Sequence, residues 1–290
     1  MTVPLPPNKI NQLFEESKKT NNFDELFYEW YRCVGMFAQF ICLLDPKSPA
    51  FKEYKKFESA VFIGLLNRSV RLMLSNMKLS ENGMFGETTI IIDRCILESC
   101  VKLIWLCKDD TTNKIKQFMT QGLKTELQLK KDIKSNIDIN NGKIFPIEQR
   151  MLKSIENYIK RSELTDEEIN SAKKMPNFNS ILDDIGGSQI GYTVLMKVGS
   201  HGIHGTWPNL LKYFIKLDND GVRPRDLGDV THLNQYMIVC VYILNACKAY
   251  IQYIIEDGEL KKALCDIISI NYLNVIAEQY AYIAQEDYKL

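Results

Sequence analysis

The chain has 290 residues, 46% apolar and 25% charged, enough to bury a substantial core and too apolar for global disorder. Basic and acidic side chains balance at 36 each, so the total carries no basic surplus of the kind that non-specific phosphate-backbone binding requires. The eight cysteines form no CxxC pair, and most stand among Ile, Leu and Val, the pattern of buried reduced thiols and not of a zinc site or disulfide framework.

The opening MTVPLPPNK has no basic region followed by an apolar stretch, so no secretory signal is expected and cytoplasm is the default location. A short amphipathic helix is expected over about 9–19, then a second over 23–44 that buries Phe27, Trp30, Tyr31, Phe37, Phe40 and Ile41. Ser48-Pro49 reads as a helix start, and apolar residues at threes and fours from Phe57 to Leu74 carry that helix to about Lys78. Glu81-Asn82-Gly83 breaks it before the most apolar helix, about 87–107.

From Thr111 to about Ile137 the pattern is lysine-rich and amphipathic, ending at Asn140-Asn141-Gly142. Pro146 starts a helix to about Arg161, and Thr165-Asp166-Glu167-Glu168 caps a short one. Gly186-Gly187 precedes a helix expected to reach Val198, followed by the Gly-rich stretch GSHGIHGTWPNLL. A loop through Pro224 leads into a long helix expected from about Asp226 to Glu256, and Asp257-Gly258 turns the chain into a last helix ending near Gln285. The best membrane-span candidate, 236–255, carries Asn245, Lys248 and Gln252 on one face, which makes it a core helix with a wet stripe; no membrane partner is expected.

The expected fold is all-α, a multi-helix bundle-like single domain. It divides into an N-terminal helical extension (1–54), a main helical domain (55–257) with a polar helical insertion or lid near 110–180, and a C-terminal helix (258–290).

Two polar patterns carry chemistry. On the 87–107 helix, Glu87, Arg94, Glu98 and Lys102 fall in one stripe, with Arg94 and Glu98 one turn apart and able to pair. A helix apolar over the rest of its circumference is central, so this stripe faces either a cleft or water. The second pattern is the Gly-rich segment with Ser200, His201, His204 and Gly205, where glycine permits close backbone approach and histidine titrates near neutral pH. A third metal ligand is not evident beside the two histidines, so no metal is expected.

The runs FESAVFIGLLNRSVRLMLSN, IIIDRCILESCVKLIWLC and GSHGIHGT, followed by a long apolar helix, resemble a widespread bacterial family of helical proteins of unknown function. An Arg-x-x-x-Glu helix and a Ser-x-x-x-His-Gly segment are that family's distinctive polar positions. Here they fall on Arg94 and Glu98, and on Ser200, His204 and Gly205. The resemblance spans roughly residues 55–255 and implies an all-helical fold. A weaker resemblance to HEPN ribonucleases rests on Arg225-Asp226 and His232 before a long helix, an Arg–His pair with a six-residue spacer.

Two functions follow as expectations. One is a metal-independent ribonuclease of toxin or antiviral-defence type, with His204 or His232 as general base, an arginine stabilising phosphate charge, and Glu98 orienting Arg94. The other is a non-enzymatic helical sensor or interaction module with a structural Arg-Glu-His polar centre. RNA or a partner protein is the expected binding partner, and a homo-oligomer is compatible with either reading. No P-loop, dinucleotide fingerprint, HExxH or nucleophile elbow is present, so no cofactor is expected.

Overall fold

The computed structural model describes residues 3–45, 47–53, 56–81, 84–108, 111–187, 193, 196, 199–218, 221–225 and 228–287, the last two by backbone only. Helix dominates, as the periodicities predict. In chain order the elements are α1 (Lys9–Thr20), α2 (Asp24–Cys42), α3 (Lys56–Ser80), α4 (Gly86–Leu106), α5 (Thr111–Ile139), α6 (Pro146–Ser162), α7 (Asp166–Ser171) and α8 (Phe178–Asp184). They continue with α9 (Gly199–His204), α10 (Trp207–Tyr213), β1 (Ile215–Asp218), β2 (Gly221–Pro224), α11 (Leu233–Ile254) and α12 (Gly258–Asp266). A π-helical stretch, Ile267–Asn274, joins α12 to α13 (Val275–Asp287). The helix expected up to Val198 lies mostly outside the described residues.

The chain forms two compact units. The larger comprises Met1–Tyr54, Phe62–Cys107 and Phe178–Leu290; the smaller comprises Lys55–Val61 and Lys108–Asn177. In the smaller unit Leu123, Leu127 and Ile169 make the apolar centre, with Ile159 and Leu164 against them. Its helix starts are satisfied by side chains. Glu148 accepts from the Phe145 amide at 2.8 Å, and Thr165 and Glu168 cap α7 reciprocally, at 3.2 and 3.0 Å.

In the larger unit α11 packs on both α2 and α4. Val239, Cys240, Ile243, Leu244, Ala246 and Cys247 are fully buried, and from α2 so are Leu26, Val34, Phe37 and Ile41. By length and composition alone α11 could cross a membrane, but most of its most apolar stretch is buried in this core. Its wet stripe finds local partners: Asn245 donates to the Val241 carbonyl at 2.8 Å and Lys248 to Ser269 Oγ at 2.9 Å. All eight cysteines are free thiols, and burial pushes Cys33 and Cys42 up to about 11 and Cys100 up to about 12.

Three expectations are corrected. Ser48-Pro49 does not start α3; residues 47–50 form turns, and Phe51 instead bridges to Ile255, with the Lys52 amide donating to the Ile254 carbonyl at 2.9 Å. A two-stranded antiparallel hairpin, Ile215 opposite Pro224 and Leu217 opposite Val222, stands where a loop was expected. The long helix starts at Leu233 and not near Asp226, because residues 228–231 run without helix across the start of α4. There the Gly86 amide donates to the Asp229 carbonyl at 2.7 Å. A Cβ on Gly86 would fall 2.6 Å from the Val230 carbonyl oxygen, and one on Gly228 would fall 2.4 Å from the Met84 carbonyl oxygen, so both glycines are needed for the crossing.

Candidate functional site

The crossing of 228–231 over α4 places the start of α11 beside the middle of α4. A capping box fixes that start. His232 Nδ1 accepts from the Asn234 amide at 3.2 Å, and Gln235 Oε1 accepts from the His232 amide at 3.0 Å. Since Nδ1 is the acceptor, the neutral imidazole carries its proton on Nε2. Thr231 Oγ1 lies 3.0 Å from both Thr89 Oγ1 and Ser80 Oγ, tying the segment to α4 and α3.

The Gly-rich segment forms α9, and its glycines serve α4. A Cβ at Gly199 would lie 2.8 Å from Arg94 Cβ, and one at Gly202 would lie 3.0 Å from Ile91 Cγ1. The absent side chains let α9 lie against the stem of Arg94. So the Arg94 helix and the Gly-rich segment, about a hundred residues apart in sequence, are in contact.

Where α4, α9, α10 and α11 meet there is a pocket of about 280 Å³. Arg94, Asp93, Lys212, His232, Asn234 and Gln235 supply its polar wall; Ile90, Leu97 and Ile238 supply the apolar one, with Gly199 between. Arg94 makes no hydrogen bond or ion pair with any described residue, and its Nε is buried without a partner. Arg68 and Arg32, by contrast, are occupied: Arg68 donates to the Cys95 carbonyl at 2.8 Å and to Ser99, and Arg32 pairs with Glu29 at 2.5 Å. An unpartnered buried N–H costs roughly 1–3 kcal/mol, which a ligand acceptor would recover.

Asp93 is the pocket's acidic member and is only 4% exposed. Its Oδ1 accepts from Asn76 Nδ2 at 2.5 Å and its Oδ2 from Gln235 Nε2 at 3.0 Å. Burial pushes the carboxyl up to about 7, against the two amide donors, which favour the ionised form. Nearby, the Tyr31 hydroxyl and Asn76 Oδ1 are buried beside one another, short of a well-formed hydrogen bond. Asn76, Asp93, Gln235 and Lys212 escaped the sequence reading; the signal available was an aspartate on the same face as Ile96, Leu97 and Cys100.

The sequence-derived residues separate. Arg94 and His232 line the pocket. Glu98 does not orient Arg94; it pairs with Lys102 at 2.5 Å. His204, Gly205 and His201 are exposed on α9 or just after it, and His201 Nδ1 lies 2.7 Å from Thr206 Oγ1. Ser200, half-buried, follows Gly199 but does not line the pocket. Arg225 is drawn into a structural clamp, donating to the Lys212 carbonyl and pairing with Asp229 at 3.1 Å. Among the described residues no three His, Cys, Asp or Glu side chains gather as metal ligands would.

No curated protein and no solved structure matches the chain, and the HEPN likeness finds no support in these comparisons. Residues 59–222 match the profile of a family of unknown function, DUF5677, a stretch that holds Asp93, Arg94, Gly199 and Lys212 and ends before His232. With more than half its length matched, the chain belongs to this family of unknown function.

Proposed function

We propose that the chain is a helical ligand-binding module of sensor type that holds a small oxyanion in the Arg94 pocket. The observation that carries this reading is the Arg94 guanidinium, without a partner among the described residues and with its Nε buried, in a pocket also lined by Lys212 and His232. Arg94 and Lys212 line the pocket against one carboxyl that burial keeps partly protonated, a balance that favours an anion. The guanidinium fork suits a phosphate or carboxylate, and the apolar wall suits a short organic carrier.

The same grouping of Arg94, Lys212 and His232 supports a second reading, cleavage of an RNA phosphodiester. It asks His232 to act as a base, yet Nδ1 is engaged by the helix cap and Nε2 holds the proton. In that state the ring donates a hydrogen bond, which serves binding. Binding is therefore preferred.

Replacing Arg94 separates a binding role from a structural one. Arg94→Met removes an unsatisfied buried group, so it should leave the melting temperature unchanged or raise it by the equivalent of about 1 kcal/mol. The same variant should weaken inorganic phosphate binding, measured by calorimetry, about 50-fold. A variant that binds phosphate as well as wild type overturns the reading. RNA cleavage by wild type that Arg94→Met and His232→Ala both abolish would establish the second one.

A further inference from the structure

Resting on the anion-binding reading, the geometry points to Asp93 as a specificity residue: we infer that the pocket selects oxyanions that keep a P–OH to share with a carboxyl near neutral pH, inorganic phosphate above all, over sulfate and phosphodiesters. Asp93 lines the pocket beside Arg94, so an oxyanion held by the guanidinium meets that carboxyl. Each carboxylate oxygen already accepts one amide hydrogen, from Asn76 or Gln235, and has capacity for one more. A ligand that enters the pocket with a hydrogen to donate can fill it.

Monohydrogen phosphate and a protonated monoester bring a P–OH, which donates to Asp93 while the remaining oxygens accept from Arg94 and Lys212. Sulfate and a phosphodiester have no such proton near neutral pH. They would set an oxygen against a carboxylate inside a partly apolar pocket, leaving both acceptors without a hydrogen. For them Asp93 must first take up a proton, and that becomes harder as pH rises past about 7. An interior RNA phosphate, a diester, falls in the rejected class.

The charged and titratable groups around Asp93 come from every element packed on it. They are Tyr31 from α2, Tyr236 and Cys240 from α11, Lys212 from α10, the His232 cap, and Arg94 from its own helix. Burial pushes the two phenols and the Cys240 thiol up, so they stay neutral near pH 7. His232 acts as the cap acceptor through Nδ1. Asp93 is the pocket's carboxyl, buried and raised, at which a ligand's proton can be shared.

The test is calorimetry on the full chain with inorganic phosphate, methyl phosphate, sulfate and dimethyl phosphate between about pH 7 and pH 8.5, and with Asp93→Asn. In wild type, phosphate affinity should stay nearly constant, while sulfate and dimethyl phosphate affinity should fall about tenfold per pH unit. At about pH 8 phosphate should be favoured over sulfate about 50-fold, and in Asp93→Asn that preference should shrink to within about threefold. Methyl phosphate, whose second proton leaves near about pH 6, has no P–OH across this range and should lose affinity with rising pH as sulfate does; pH-independent methyl phosphate binding overturns the shared-proton account. Compared at about pH 6, methyl phosphate binding as well as inorganic phosphate assigns the site to a carried phosphate, and weaker binding assigns it to the free ion. Equal wild-type affinity for phosphate and sulfate at every pH overturns the specificity inference and leaves anion binding standing. No binding of any of the four overturns both. The wild-type pH series decides even if Asp93→Asn fails to fold.

Discussion

Between about pH 4 and pH 8, the stability of an Asp93→Asn variant relative to wild type should rise by about 4 kcal/mol. The ordinary carboxyl titrates near 3.8, and the folded Asp93 near 7, because burial opposes its charge more than two amide donors support it. With the folded value raised, the native state binds more protons than the unfolded chain throughout the interval. Stability from this group is therefore full below about pH 4 and is lost as pH rises towards 7. The asparagine does not titrate, so the variant escapes the loss. It still offers one acceptor, and Asn76, whose Oδ1 is unpartnered, can turn over to accept from the new amide. Urea unfolding at a series of pH values measures the difference, and parallel wild-type and variant curves would refute the buried-carboxyl account.

The largest loss from a single truncation is expected at Trp30, which is 1% exposed and joins α2 to α13. Its indole Nε1 donates to Gln279 Oε1 at 2.7 Å, and Gln279 is itself buried. Its ring packs on Tyr272 at 6.1 Å, beside the Phe37–Tyr272 contact at 5.0 Å. Trp30→Ala should cost about 3–5 kcal/mol from lost burial and the cavity, and orphan the Gln279 carbonyl as well. For a chain of this size that is a fall in melting temperature of about 10 °C. Trp30→Phe keeps most of the apolar volume and loses the hydrogen bond, so it should cost about 2 kcal/mol. A Trp30→Ala melting temperature within a few degrees of wild type would mean that α13 is not held through this contact.

The helices were legible because their apolar spacing and end signals agree. Thr165 with Glu168 caps α7, and Asp257 Oδ1 accepts from the amides of Glu259 and Leu260 where the last rod begins. α4 reads as central because it is apolar nearly all round, and it does pack against α11. Ser48-Pro49 misled because a local start signal was outweighed by the Phe51–Ile255 bridge, a partner some two hundred residues away.

The site was half legible for a similar reason. Arg94 was conspicuous as a charge on an apolar helix, but the Glu98 expected to hold it pairs one turn onward with Lys102. The Gly-rich histidines drew notice by composition; the structure uses the glycines to seat α9 on α4 and leaves His204 in solvent. His232 drew notice in sequence only through its spacing from Arg225; it becomes a pocket residue because 228–231 crosses α4, while Arg225 is taken up by the Lys212 carbonyl and Asp229. Asp93 was hidden beside its neighbour. Its amide partners stand on α3 and α11, and no spacing within one segment brings those together.

The most direct measurement is a ¹H–¹⁵N spectrum of the arginine Nε–H groups, recorded while inorganic phosphate is added at about pH 7. Arg94 Nε, buried and without an acceptor in the free protein, should move downfield as it gains one. The signal is assigned by its loss in Arg94→Lys. Arg32, whose Nε already donates to Glu29 Oε2 at 3.0 Å, should stay in place. Saturating phosphate that leaves the Arg94 signal where it was, or shifts only exposed arginines, would contradict the assignment of this pocket as an oxyanion site.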